Sequence, residues 1–151
     1  MKCVIKQRLE DQFLQNWNSL VHISPKAINY KTFKTEFKYE EYLNILEIKD
    51  AILFCRFRTT KNKFPIETGR WQNIPRENRK CKLCNRSQIG DEYHYIFECN
   101  HFNQKREQSL SNYFRYRHNI IKFSELGKNT ILKKICHFIS AINTDVCPPG
   151  S

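Results

Sequence analysis

Four residues in the middle of the chain have the types and the spacing of metal ligands. Cys81 and Cys84 form a Cys-x2-Cys pair, His94 follows after nine residues, and Cys99 follows after four more. Zinc takes thiolate and imidazole donors at tetrahedral corners, and a Cys-x2-Cys turn can present two thiolates to one ion. Because the protein supplies all four ligands, no position stays open for water. The spacing therefore predicts one structural zinc ion, whose binding energy is in part folding energy.

Two alternatives to this ligand set remain open. His101 lies two residues after Cys99 and could replace His94, although the spacing of His94 suits a hairpin-plus-helix finger better. The four residues could also be isolated core thiols and a histidine, but such a cluster is hard to obtain without a metal. The remaining cysteines have no partner spacing and are predicted to be small hydrophobic residues: Cys3, Cys55, Cys136 and Cys147.

The elements that must position these ligands are predicted to be helices. Apolar residues near the N-terminus recur at steps of three to five, which predicts a helix that Ser24-Pro25 ends. Two helices are predicted before Arg58, with a break near 47–50, and two follow the site over 104–123 and 129–142. A helical turn over 93–98 would bring the second ligand pair to the metal. The N-terminal apolar stripe contains Val4, Ile5, Leu9, Phe13, Leu14, Trp17, Leu20 and Val21.

These patterns predict a mainly α fold in which helices flank a small CCHC zinc-stapled module with a basic loop. A short β-hairpin at the Cys-x2-Cys turn fits this scheme. Residues 59–80 are interpreted as loop because Pro65, Gly69 and Pro75 interrupt them. The predicted divisions are a helical region (1–58), the basic loop and CCHC module (59–102), C-terminal helices (103–143) and a frayed tail (144–151).

Charge points to a polyanionic partner. The chain has 26 Lys and Arg against 15 Asp and Glu, a formal net charge of +11. A basic surface binds nucleic acid because condensed counterions are released, and no base-reading pattern predicts sequence specificity. Phe57, Phe64 and Trp71 could stack on unpaired bases or pack around the module. The predicted contacts to RNA or DNA are Arg56, Arg58, Lys61, Lys63, Arg70, Trp71, Arg76, Arg79, Lys80, Lys82 and Arg86.

Several classes of protein are disfavoured. Seven cysteines cannot all pair in disulfides, and the N-terminus has no apolar core of a signal peptide. No apolar run approaches the ~20 residues that cross a bilayer. We therefore expect reduced thiols in an intracellular, nuclear protein that does not enter membranes. Neither a carboxylate pair on a strand nor a nucleophile elbow is present, so we expect no enzymatic activity.

The run 57–106 resembles a known segment. Its pattern IE-x-GR … IPR-x-x-R-x-C-x-x-C … DE-x-H … C looks like the region that follows the reverse transcriptase domain in animal non-LTR (LINE-like) retrotransposon polyproteins. The runs 5–17 and 30–46 are similar to the stretch that joins the polymerase to that region. The resemblance covers about residues 1–140, and its metal ligands fall on Cys81, Cys84, His94 and Cys99.

The resemblance implies parent proteins that are RNA-directed DNA polymerases, with this segment holding RNA or target DNA near the polymerase. The chain carries no Tyr-x-Asp-Asp motif, so we expect a fragment without the catalytic core, whose partners are RNA or DNA and the missing polymerase domain. The alternatives are a zinc-stabilised protein-interaction module that meets an acidic protein, and a non-functional relic with exposed apolar helices.

Overall fold

The computed structural model describes residues 2–148, with side chains from residue 4 onward. Short 3-10 turns occupy Pro25–Ala27, Arg76–Asn78 and Asn100–Phe102, and His94–Glu98 form a π-helical turn. No strand occurs among the described residues, so the prediction of a mainly helical fold is confirmed. The helices are α1 (Lys2–Ile23), α2 (Ile28–Phe33), α3 (Tyr42–Ile45), α4 (Ile48–Arg58), α5 (Pro65–Trp71), α6 (Asn103–Ser109), α7 (Asn112–Arg115), α8 (Ile120–Glu125) and α9 (Leu132–Val146).

One hydrophobic core joins the helices to the cysteine segment. α9 packs against α4 and α6, while α2 packs against α8. The ring of Phe33 on α2 contacts Phe54 and Phe57 of α4 and Phe123 of α8. The same cluster includes Cys81, Cys99 and the apolar residues of the π-helical turn. The cysteine segment and the flanking helices therefore share one interior.

The final helix follows its sequence pattern closely. Its predicted inward residues recur at helical spacing, and five of them are buried: Leu132, Ile135, Phe138, Ile139 and Ile142. Ile131 is partly buried against the same core. α9 continues to Val146, so the prediction of a frayed tail is wrong for residues 144–146. Residues 149–151 of that tail lie outside the described part of the chain.

Two predicted helices are divided into shorter ones. The expected break near 47–50 is correct, since α4 begins at Ile48, but the chain before it forms α2 and α3 separately. Between them Lys34 leaves the helical conformation, and its ammonium donates to the Lys38 carbonyl at 2.5 Å and the Glu40 carboxylate at 2.6 Å. In the same way 104–123 is divided among α6, α7 and α8. Tertiary contacts hold these short helices, which would be marginal alone.

The predicted basic loop 59–80 contains a helix, so that interpretation is wrong for α5. Pro65 occupies the first helical turn, where its missing N–H costs nothing. The helix ends with Asn73 in the left-handed conformation, at a φ of 55°. The Ile74 N–H donates to the Gly69 carbonyl at 2.8 Å, as in a Schellman cap. Pro65 therefore begins this helix, and the carbonyl of Gly69 accepts the hydrogen bond that closes it.

The N-terminal helix is present as predicted, but most of its apolar stripe is not buried. The main contacts of α1 are with α2 and with the turn Pro25–Ala27. The rings of Phe13 and Trp17 also pack edge-on against the ring of Phe37, with ring centres 4.9 and 5.6 Å apart. The helix therefore presents a long apolar face outside the core. Its exposed apolar residues are Val4, Ile5, Leu9, Phe13, Leu14, Leu20 and Ile23.

Arg58 is a structural arginine at the end of α4. It is 3% exposed, and its guanidinium donates to the two carboxylate oxygens of Glu40 at 2.7 and 3.0 Å. The same guanidinium lies over the rings of Tyr30 and Tyr42. The prediction that Arg58 contacts phosphate is therefore wrong, because its guanidinium is buried and its charge is paired.

We expect Glu40→Gln to destabilise the fold by about 2 kcal/mol at neutral pH, because it removes the charge in two charge-assisted contacts. Partial burial raises the pKa of Glu40, but hydrogen bonds and charges from Arg58 and Lys34 outweigh it, so the pKa lies below its ordinary value. Such a carboxylate stabilises the fold above its unfolded pKa, and the stabilisation is lost as pH falls through the folded pKa. Urea unfolding at neutral and acidic pH measures this difference.

The matched control is Glu47→Gln, since the Glu47 side chain is 81% exposed. We expect that variant to unfold like the wild type at every pH. An equal loss of stability in both variants, or a loss from Glu40→Gln that persists in acid, would contradict the role given to Glu40.

Candidate metal centre and its basic surroundings

The four predicted ligand atoms converge. The sulfurs of Cys81, Cys84 and Cys99 and a ring nitrogen of His94 all lie within 4.8 Å of one another. The Sγ atoms of Cys81 and Cys99 are 3.9 Å apart, and Cys84 Sγ is 3.4 Å from His94 Nε2. A tetrahedral zinc ion with its usual bond lengths requires about 3.8 Å between two sulfurs and about 3.5 Å between sulfur and nitrogen. These two distances match a tetrahedral zinc site, and the four donor atoms together form a Cys3His cluster that could hold a metal ion.

The structure brings His94, not His101, to the thiols. His94 is 2% exposed, and its Nδ1 lies 3.2 Å from Gln88 Oε1 and 3.5 Å from Glu98 Oε2. Outer partners of this kind fix the ring orientation of a metal-binding histidine. His101 is instead exposed, with its Nε2 3.3 Å from a carboxylate oxygen of Asp145 on α9. The preference for His94 in the cluster is confirmed.

The first ligand pair is held by a narrow loop. Lys80 and Ile89 form a single antiparallel bridge, and the Cys81 N–H donates to the Gln88 carbonyl at 2.8 Å. The Leu83 N–H lies 3.4 Å from Cys81 Sγ, which fixes the sulfur within the turn. The β-hairpin expected here is thus reduced to one bridge. This bridge and the hydrogen bond between Cys81 and Gln88 close the loop that carries the Cys-x2-Cys turn.

The second ligand pair depends on the π-helical turn. Asp91 Oδ1 accepts the His94 N–H at 2.9 Å, and the Cys99 N–H donates to the His94 carbonyl at 2.8 Å. In an α-helix, residues five apart point about 140° away from each other. Closure between residues i and i+5 widens the turn and places both on one side. The expected helical turn is present, and its π geometry explains how His94 and Cys99 reach one point.

Electrostatics favour a cation in this cluster. Burial, together with the charges of Cys81 and Cys84, raises the pKa of the Cys99 thiol to about 12. Burial also lowers the pKa of His94, despite the opposing effect of Glu98, so its imidazole is neutral at neutral pH. Three thiolates this close would repel one another unless a divalent cation compensated them. The donor set of three sulfurs and one imidazole fits zinc.

Arg106 on α6 supports the candidate metal centre, and sequence reasoning missed it. It is 6% exposed, and its guanidinium donates to the carbonyls of Ile96 at 2.6 Å and Cys99 at 2.9 Å. These carbonyls end the π-helical turn and need hydrogen-bond partners. An arginine among polar residues is usually at the surface. Its one sequence signal is its place at the end of the run 57–106.

Glu92 ties the metal centre to α2. It is buried, and its Oε2 accepts a hydrogen bond from Asn29 Nδ2 at 2.9 Å. Burial raises the pKa of Glu92 to about 8, so the neutral acid predominates at neutral pH. The two acidic residues before His94 therefore have different roles. Asp91 caps the π-helical turn, and Glu92 attaches this segment to α2.

Two predicted phosphate contacts are largely engaged inside the protein. Arg79 donates to the carbonyls of Ile74 at 2.8 Å and Ile66 at 3.1 Å, and a Cβ on Gly69 would lie 2.6 Å from Arg79 Cγ. Arg70 forms a two-pronged ion pair with the buried carboxylate of Glu67, at 2.6 and 2.9 Å. Arg79 is therefore a structural residue, and the charge of Arg70 is already paired.

The aromatic residues near the cluster also differ in exposure. Phe57 and Phe64 are buried in the core, so base stacking is wrong for them and packing is correct. Trp71 is 56% exposed, and its indole N–H donates to Glu67 at 3.0 Å. The other predicted contacts to nucleic acid lie on the surface: Arg56, Lys61, Lys63, Arg76, Lys80, Lys82 and Arg86.

Among the cysteines whose side chains the structure describes, Cys55, Cys136 and Cys147 are not part of the cluster. Cys136 is buried in the core, as predicted for a small hydrophobic residue. Cys55 is exposed, so that prediction is wrong for it. Cys147 is partly buried, with its Sγ 3.0 Å from the Lys63 carbonyl, and the side chain of Cys3 lies outside the described part.

The comparisons with known proteins and the search for membrane-spanning helices were both negative. Comparisons with family models, curated proteins and solved structures gave no match. Within residues 2–148, no helix combines the length and the apolar character that crossing a bilayer requires.

Proposed function

We propose that this chain is a zinc-stapled nucleic-acid-binding segment. Cys81, Cys84, His94 and Cys99 hold one structural zinc ion, and the surrounding basic surface binds RNA or DNA through phosphates. The observation that carries this proposal is the convergence of four donor atoms, all within 4.8 Å of one another, in a strongly basic segment. Zinc in a site with four protein ligands supplies a rigid cross-link and no open position for catalysis.

The exposed cations next to the ligands support the binding role. Lys80 and Lys82 flank Cys81, so the ion that holds the thiolate also holds their backbone positions. The guanidinium of Arg76 lies 3.9 Å from the carboxylate of Asp91. This ion pair is loose, so the charge of Arg76 stays available for a phosphate. Phosphates that meet these cations release counterions, which makes the binding strong at low salt and insensitive to sequence.

The motif supports an origin in a non-LTR retrotransposon reverse transcriptase. Several of its fixed positions have physical tasks here: Gly69 makes room for Arg79, and Asp91 caps the turn that carries His94. In this proposal residues 1–151 contribute binding of RNA or target DNA, and the polymerase chemistry is not assigned to them.

Replacing Arg76, Lys80 and Lys82 together by alanine is expected to weaken binding to a single-stranded oligonucleotide by more than tenfold at low salt. Each lost phosphate contact lowers the slope of log affinity against log salt by about 0.7, so we expect the slope to fall by about 2. Fluorescence anisotropy titrations over a salt series measure both quantities. Zinc content and circular dichroism should match the wild type, because all three side chains are exposed.

The charge-matched control replaces three exposed cations outside the metal-centre segment, Lys6, Arg8 and Lys49. This control is expected to bind nearly as tightly as the wild type. Binding by the Arg76, Lys80 and Lys82 variant that equals the control at low salt would overturn the assignment of the basic surface.

A second candidate function, a zinc-stabilised protein-interaction module, is favoured by one observation. The apolar face of α1 is exposed along most of its length, and exposed apolar patches often mark protein interfaces. A non-functional relic would keep the same face without a partner. Salt separates the two working functions: an interface with an apolar centre weakens little with salt, whereas phosphate binding falls steeply.

A further inference from the structure

A cleft of about 340 Å³ lies beside the metal centre. It is bounded by the π-helical turn, by α6 and by the segment that follows α7. Its lining includes Arg86, Arg106, Arg115, Tyr116 and His118. Cavities of this size hold small ligands or single groups of larger ones. The predicted basic surface included only Arg86 among these residues.

Cations outnumber anions in the cleft. Arg106 forms a buried, hydrogen-bonded floor, while Arg86 is exposed at the rim. Arg115 is 3.7 Å from Glu107, a loose ion pair, and it also donates to the side-chain oxygen of Asn112. Glu98 also lines the cleft, but it faces the ring of His94. A phosphate group in the cleft would meet the charges of Arg86 and of the Arg115 guanidinium.

The cleft also has a fixed aromatic wall and a free aromatic ring. His118 stacks on Phe97 with ring centres 5.3 Å apart and planes 5° apart, and its Nδ1 lies 3.1 Å from the Tyr93 hydroxyl. Tyr116 is 66% exposed, with the Arg115 guanidinium 5.8 Å from its ring centre. An exposed ring next to an arginine is the usual platform for an unpaired base.

The backbone at the rim is strained and held in place. Arg117 has a φ of 46°, in the left-handed region that arginine rarely adopts. The Lys122 ammonium donates to the Tyr116 carbonyl at 2.7 Å and to the Tyr113 carbonyl at 2.5 Å, which fixes this turn. Strain that the surrounding structure maintains is common where side chains are presented to a ligand.

We propose that this cleft binds one unpaired nucleotide of a single-stranded nucleic acid, with its phosphate on Arg86 and Arg115 and its base stacked on Tyr116. This inference rests on the proposed nucleic-acid binding and deepens it by naming single strands as the ligand. A duplex would not serve, because its bases are stacked on one another and cannot reach the ring. Every base has a stacking face, so the site tolerates any sequence.

The test uses the zinc-loaded full chain and a fluorescently labelled oligouridine, titrated by anisotropy. Loss of the stacked base is expected to weaken binding of Tyr116→Ala about tenfold, while Tyr116→Phe keeps the ring and binds like the wild type. Arg115→Ala and Arg86→Ala are each expected to lower the salt slope by about 0.7. The matched control is Arg8→Ala, which removes the same charge from the exposed face of α1.

The outcomes separate this inference from the proposed function. Failure of the wild type to bind the oligonucleotide would overturn both. If the wild type binds and the Tyr116, Arg115 and Arg86 variants bind as tightly as Arg8→Ala, the proposed nucleotide site in the cleft is overturned and the proposed function is not. Equal weakening of single-strand and duplex binding by Tyr116→Ala, or uridine monophosphate that binds as tightly as the oligonucleotide, would also overturn it. Because Arg86 is exposed, its variant stays informative if Arg115→Ala does not fold.

Discussion

Cys84→Ser is expected to abolish zinc binding and to unfold the segment around the metal centre. A structural zinc ion contributes an apparent ~10–16 kcal/mol to small zinc-dependent folds, and whole domains are stable by only about 5–15 kcal/mol. The metal-binding cluster shares one hydrophobic core with α4 and α9, and the ring of Phe102 contacts Phe138 of α9, so the loss should spread beyond the ligands. Circular dichroism and thermal unfolding of the variant, and of the wild type after addition of a strong chelator, measure the effect.

The matched control for this experiment is Cys55→Ser, which makes the same substitution at an exposed cysteine outside the cluster. It is expected to keep stoichiometric zinc and wild-type stability. Since serine nearly preserves the shape of cysteine, unfolding of Cys84→Ser alone can be attributed to the metal. A Cys84→Ser protein that retains one zinc per chain would contradict the ligand assignment.

Arg106→Met is expected to lower the free energy of unfolding of the zinc-loaded protein by about 3–6 kcal/mol. The methionine keeps much of the apolar volume but leaves the buried carbonyls of Ile96 and Cys99 without donors, at about 1.5–3 kcal/mol for each contact to a charged group. Arg106→Lys should fail in a similar way, because a single ammonium cannot reproduce the guanidinium fork. Urea unfolding with zinc in excess gives these values.

Arg8→Met serves as the control for this substitution, since Arg8 is exposed on α1. Its stability should lie within about 0.5 kcal/mol of the wild type. If Arg106→Met were no less stable than Arg8→Met, Arg106 would not be the cap that supports the π-helical turn.

The Cys3His cluster and α9 could be predicted from the sequence because each has a pattern within one short stretch of the chain. A metal ion restricts its ligands to a few residue types at short spacings, so Cys81, Cys84, His94 and Cys99 stand out as a set. α9 is long enough for its buried residues to repeat at helical spacing over fifteen residues. In both cases the information lies within one short stretch of the chain.

The short helices and the roles of individual arginines could not be predicted in this way. α3 and α7 have four residues each, and their stability comes from neighbours that are distant in sequence. Arg58 pairs with Glu40, which lies eighteen residues away, so its burial leaves no local pattern. Arg79 and Arg106 donate to carbonyls, which every residue carries. Charge density alone therefore predicted too many phosphate contacts.

X-ray absorption at the zinc K-edge, on protein whose metal content has been measured by mass spectrometry, tests the central claim most directly. The predicted result is one zinc per chain with three sulfur neighbours at about 2.3 Å and one nitrogen at about 2.0–2.1 Å. A folded chain without zinc, or a zinc ion surrounded by oxygen and nitrogen alone, would contradict the assignment of Cys81, Cys84, His94 and Cys99 as a structural metal centre.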